Sequence, residues 1–100
     1  MKSALDKFMP KRLLHIRQEN LLSQQQMADL LNVSKPYYNR LENGTRAISD
    51  LQIKIIAQYF AIDEEELISL NLADKLDGLL GKASEQVANR AMKLLNDRIK

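Results

Sequence analysis

Cysteine and tryptophan are both absent from this 100-residue chain. Without cysteine there is no disulfide, no thiol nucleophile and no cysteine-based zinc site, which fits a reducing, cytoplasmic setting. Glycine occurs three times and proline twice, so each marks a specific break in an otherwise regular chain. Aromatic residues make up only 5%, which leaves the core to Leu, Ile, Val, Ala and Met. His15 is the sole histidine, and by itself it builds neither a metal site nor the nucleophile–base pair of a hydrolase. No apolar run approaches the roughly 20 residues that cross a bilayer. The first ten residues, MKSALDKFMP, contain Asp6 and Lys7 and no apolar stretch, so they are not read as a secretion signal. These gaps point away from an enzyme and from any cofactor, and towards a binding module.

The apolar fraction of 45% suffices for one small domain. The net charge is only +2, but it is unevenly spread. Residues 1–50 hold eight Lys/Arg against five Asp/Glu, and residues 51–100 hold seven against eight. The cationic half is the one that phosphate binding would use.

That half contains the most informative stretch, residues 23–44, SQQQMADLLNVSKPYYNRLENG. Ser23 is placed to cap a helix, and Met27, Ala28, Leu30 and Leu31 follow at helical spacing. Asn32 falls where the chain must turn, and Asn tolerates the left-handed conformation. Val33 plugs the gap between the helices. Ser34 caps a second helix, Pro36 occupies its first turn, and Gly44 ends it. The spacing predicts helices over 24–31 and 35–43. In the second, Tyr38 and Leu41 face the core, while Lys35, Tyr37, Asn39 and Arg40 face outward. This is a helix-turn-helix whose second helix shows a hydrogen-bonding face to solvent.

Residues 1–9 read as an N-terminal arm and residues 10–72 as the helical domain. Its first helix runs from about Pro10 to Glu19, with Leu13 and Ile16 buried. Ser49 caps a fourth helix carrying Ile53, Ile56, Ala57 and Phe60. Asp63 and Glu66 form a capping-box pattern for a fifth, and Glu64 to Glu66 suit the positive end of its dipole. Past Leu72, Gly78 and Gly81 interrupt the leucine stripe, so residues 73–100 read as a separate C-terminal extension. Its helix, about 83–98, carries Val87, Ala91, Leu94, Leu95 and Ile99 on one side. Period-two alternation is missing, so the expectation is an all-α fold: a five-helix bundle with one additional C-terminal helix.

Residues 13–67 also resemble the lambda-repressor-like, Cro/C1-type (XRE family) helix-turn-helix domain. The matching pieces are L-x-x-I-R at 13–17, LSQQQMADLLNVS at 22–34, Y-x-R-L-E-N-G at 38–44 and I-x-x-I-A-x-x-F-x-I at 53–62. The resemblance implies that Lys35, Pro36, Tyr37, Asn39 and Arg40 meet base edges or nearby backbone. It implies that Gln24, Asn43, Thr45 and Arg46 grip phosphates, and that Arg17 and Glu42 form a structural ion pair. Chemically, Arg40 can pair with guanine O6 and N7, and Asn39 with adenine N7 and N6. The chain departs from the family at Leu21, where glycine is frequent, so Asn20 is expected to cap the first helix. It also departs at Pro36, in place of a residue that often bonds bases, and at Asp50, in place of an apolar one. The implied protein is a DNA-binding transcription regulator, a repressor or controller, acting on a palindromic operator as a homodimer. The segment ISLNLADKL also resembles regulators encoded beside DNA methyltransferases. The alternative is an antitoxin-like protein whose C-terminal helix binds a toxin partner.

Overall fold

The computed structural model describes residues 7–99. Among these residues there are six helices and no strand: α1 (Phe8–Glu19), α2 (Gln24–Leu31), α3 (Lys35–Asn43), α4 (Asp50–Phe60), α5 (Glu64–Leu80) and α6 (Glu85–Ile99). The all-α expectation holds, and α2 and α3 carry the bounds that their spacing predicted.

Local chemistry explains those bounds. The hydroxyls of Ser23, Ser34 and Ser49 accept the backbone N–H of Gln26, Tyr37 and Gln52. Gln26 and Gln52 accept in return from the N–H of Ser23 and Ser49, which completes two capping boxes. Asn32 adopts the left-handed conformation, φ 57°, in the turn, and Gly44 ends α3 at φ 81°. Two residues without that excuse, Leu21 at φ 55° and Ala61 at φ 54°, also turn left-handed. Asn20 does cap α1, its amide donating to the Ile16 carbonyl at 2.7 Å, but Leu21 takes the strained position behind it.

The core forms where the helices meet. Leu13 and Ile16 of α1, Met27 of α2, Tyr38 and Leu41 of α3, Ile53 and Ile56 of α4, and Leu67 of α5 are all essentially inaccessible. α1 packs on α3 and α5, and α2 packs on α3, so the helix-turn-helix is held from behind by the outer helices.

Four sequence expectations need correction. First, α1 starts at Phe8 rather than Pro10, and Met9, assigned to the arm, is a core residue. The cause is Asp74 of α5, whose two carboxylate oxygens accept the N–H groups of Phe8 and Met9 at 2.8 and 2.9 Å. A carboxylate there satisfies unpaired donors and suits the positive helix end. The rest of the expected arm, residues 1–6, lies outside the described residues. Second, α5 runs unbroken through residue 72 to Leu80. Gly78 is exposed and inside the helix, with open space where a Cβ would stand. Third, Glu66 closes no capping box. Asp63 alone caps α5, through the Glu65 N–H at 3.3 Å, while Glu66 reaches Arg12 of α1 at 3.2 Å. Fourth, the last helix begins at Glu85, with Ser84 accepting the Val87 N–H. It buries no residue, leaving Leu94 at 72% and Ile99 at 82% exposed.

Asp74 should therefore behave as a helix cap supplied from a distance. Asp74→Ala is expected to destabilise the protein by ~1–2 kcal/mol, read as a lower midpoint in thermal or urea unfolding.

Candidate nucleic-acid interface

α3 is amphipathic, and its burial pattern fixes which side chains are free. Tyr38 and Leu41 anchor it in the core, which turns Lys35, Pro36, Asn39 and Arg40 out to solvent. Among the described residues, the side chains of Lys35 and Arg40 engage no hydrogen-bond or ionic partner and stand free to reach a ligand. Lysine and arginine held in this way on a helix face suit phosphate oxygens and guanine edges.

Tyr37 is only half exposed and is already engaged. The Arg46 guanidinium lies over its ring, 4.2 Å from the centroid, in a cation–π arrangement. Its hydroxyl accepts from the Gln52 amide at 3.2 Å. The bond from Gln52, and then Arg46, hold the phenol below its ordinary pKa. Two residues expected to meet DNA thus also meet each other and tie α3 to the 44–49 loop. Sequence reading did not single out Gln52. Its signal was present as the S-x-x-Q pattern at 49–52, because the same amide that caps α4 also reaches Tyr37.

Behind α3 lies the Arg17–Glu42 pair. Arg17 donates from Nε and from one terminal nitrogen to the two oxygens of Glu42, at 2.8 and 2.9 Å. Its other terminal nitrogen donates to the Leu22 carbonyl at 3.1 Å. The Glu42 side chain is 7% exposed and that of Arg17 19%. Burial alone would raise the Glu42 pKa; the donors from Arg17 and Gln24, with the Tyr38 hydroxyl nearby, outweigh it and hold the carboxyl below the ordinary glutamate value. The Tyr38 hydroxyl is buried against this pair but falls outside hydrogen-bond geometry, and burial, then Glu42, push its own pKa strongly upward.

The remaining candidate residues form a chain of hydrogen bonds across the front of the helix pair. Gln24 donates to Glu42, Asn39 donates to Gln24, and Asn43 donates to Asn39, each at 3.4 Å. The Asn43 oxygen then accepts from the Thr45 N–H at 3.0 Å and the Thr45 hydroxyl at 2.6 Å. The structure thus joins Gln24, Asn39, Asn43 and Thr45 in one chain and Tyr37 with Arg46 in a second contact, while Lys35, Pro36 and Arg40 share only the exposed side of α3. His15 pairs with Glu19 on the surface of α1 at 3.0 Å. No group of three metal-ligating side chains occurs among the described residues, and no helix is long and apolar enough to cross a membrane.

Comparison with known proteins agrees with this geometry. Residues 13–67 match the family model described as helix-turn-helix. No curated protein and no solved structure matches the chain.

The ion pair generates a prediction with a defined pH window. Losing one member of a buried pair costs about 3–5 kcal/mol, so Arg17→Met should unfold far more easily than Arg12→Met at pH 7. Because folding lowers the Glu42 pKa, the pair's contribution is complete above the ordinary glutamate value of about 4.3. It is lost as pH falls through the lower folded value. Urea titrations of both variants and the parent should show the Arg17→Met deficit shrinking below about pH 4.

Proposed function

The chain belongs to the helix-turn-helix family, a DNA-binding and transcription-regulating family, and from that premise we propose that it is a sequence-specific regulator, a repressor or controller, that binds a palindromic operator as a homodimer. The carrying observation is the outer face of α3, where Lys35, Asn39 and Arg40 project from a helix whose opposite side is core. α3 enters the major groove, with Arg40 on a guanine and Asn39 on an adenine. Gln24, Asn43, Thr45 and Arg46 flank it and hold phosphates. Pro36 contributes shape rather than hydrogen bonds, since its side chain has no donor or acceptor, while Tyr37, held by Arg46 and Gln52, keeps its O–H free to donate. The work is binding rather than catalysis, and it belongs in the cytoplasm, where the DNA is.

Helices α1 to α5, residues 8–80, carry the DNA-binding unit and α6 the dimerising one. The support is α6, whose apolar side is bare: Val87, Leu94, Leu95 and Ile99 are between 47% and 82% exposed. Isolated helices of this length are marginal in water and need a covering surface. A two-fold pair of α6 helices must then hold two copies of α3 one helical turn, about 34 Å, apart for both to read the operator. The same bare side favours one second reading, an antitoxin-like protein that uses α6 to hold a different protein.

Selection of binding sites from random DNA should return a two-fold symmetric motif. Arg40→Ala should then lose about 5- to 150-fold in affinity and relax one base pair per half-site. Equal losses on operator and random DNA would demote Arg40 to a phosphate contact.

Truncation after Gly81 should leave a folded monomer by sedimentation equilibrium, with much weaker binding to a full operator. A dimer that persists would move the interface into the first five helices, and a full-length monomer would favour the antitoxin-like reading.

A further inference from the structure

The hydrogen-bond chain across α2 and α3 is closed at both ends by groups that cannot reverse. At one end is the Glu42 carboxylate, which the Arg17 guanidinium keeps ionised and which only accepts. At the other end is the Thr45 backbone N–H, which only donates. Between them stand three side-chain amides, Gln24, Asn39 and Asn43, each able to present oxygen or nitrogen to either neighbour. Gln24 must turn its nitrogen to Glu42, so its oxygen faces Asn39. Asn39 must then turn its nitrogen to Gln24 and its oxygen to Asn43. Asn43 follows, with its oxygen left for Thr45. The three links between side chains are long, at 3.4 Å each, and individually weak. Their direction is nevertheless over-determined, because reversing any one amide sets like against like on both sides.

From this geometry we infer that Glu42, acting through Gln24 and backed by Thr45 through Asn43, is the positioning residue that fixes which way the Asn39 amide faces, and thereby which base pair Asn39 accepts. The inference rests on the reading of Asn39 as a base contact. Gln24 and Asn39 each retain one free N–H and one free oxygen lone pair after these links are made, whereas Thr45 takes both lone pairs of the Asn43 oxygen. Asn39 therefore offers DNA a donor and an acceptor in one fixed order. On the reading that Asn39 pairs with adenine, that order meets an acceptor followed by a donor, N7 and N6. The reversed amide matches the opposite order, as in cytosine N4 beside guanine O6. A freely rotating asparagine would tolerate both, and the buried charge behind α3 removes that tolerance.

Two substitutions at Gln24 separate this role from a simple phosphate contact. Gln24→Met keeps the length but removes the relay. Gln24→Glu cannot donate to Glu42 yet still offers oxygen to Asn39. Site selection and competition binding with the full chain should show the parent preferring adenine over cytosine at the Asn39 pair by roughly 10-fold. In Gln24→Met, where only the long bond from Asn43 still holds Asn39, that preference should fall to about 2-fold. In Gln24→Glu it should persist, even though the added negative charge weakens binding to every sequence. In DNA-free protein, the Asn39 side-chain amide signals in a nitrogen–proton correlation spectrum should shift in Gln24→Met and stay near the parent in Gln24→Glu. An unchanged adenine preference in Gln24→Met, or unmoved Asn39 signals, overturns the inference. If the parent selects no DNA motif at all, the operator reading fails, and the Asn39 signals of the free protein still decide the relay.

Discussion

One buried ion pair sets the position of everything that faces outward. Arg17 belongs to α1 and Glu42 to the last turn of α3, 25 residues on, and the two meet through paired bonds. The same guanidinium holds the Leu22 carbonyl in the turn before α2. Three segments are thereby referenced to one planar group, whose fork geometry tolerates little rotation. A hydrophobic contact could hold these helices together equally well, but it would let α3 roll about its axis. The pair resists that roll, and the direction of Lys35, Asn39 and Arg40 depends on it.

The parts of this arrangement that could be read from sequence are those with local causes. A serine hydroxyl capping the amide three residues on, an asparagine in a left-handed turn, and a proline in the first turn each act within a few residues, and α2 and α3 emerged with correct bounds. The family resemblance supplied the Arg17–Glu42 pair, which no local pattern announces. What escaped was non-local. Asp74 caps a helix that begins 66 residues earlier, so nothing near Phe8 signals the early start. Glu66 sits at the right spacing for a capping box but has a cation on α1 within reach, and the ion pair prevails. Gly78 looked like an interruption because glycine weakens helices by roughly 1 kcal/mol. In α5, capped by Asp63 and tied to α1 by Glu66 and Asp74, that cost is absorbed.

The contrast between α5 and α6 divides the chain physically. The first half of α5 is packed and places Leu67 in the core, whereas farther on Leu72 and Leu79 are more than half exposed. α6 continues this trend and buries nothing. A tightly organised bundle followed by an apolar helix that buries nothing keeps the two physically separable. Changes in α6 can therefore leave the orientation of α3 untouched.

The backbone at Leu21 and Ala61 bears on how far this sequence lies from its most robust form. Both hold a left-handed conformation that glycine adopts freely, and side chains there cost on the order of 1–2 kcal/mol. Both are exposed surface residues, with Leu21 at 91% exposure. Stability in natural proteins settles just above what function demands, and two uncorrected turns of this type mark that margin. A line of descent carrying this fold into a hotter cell could gain tolerance at positions 21 and 61 first, before any change reached the outer side of α3.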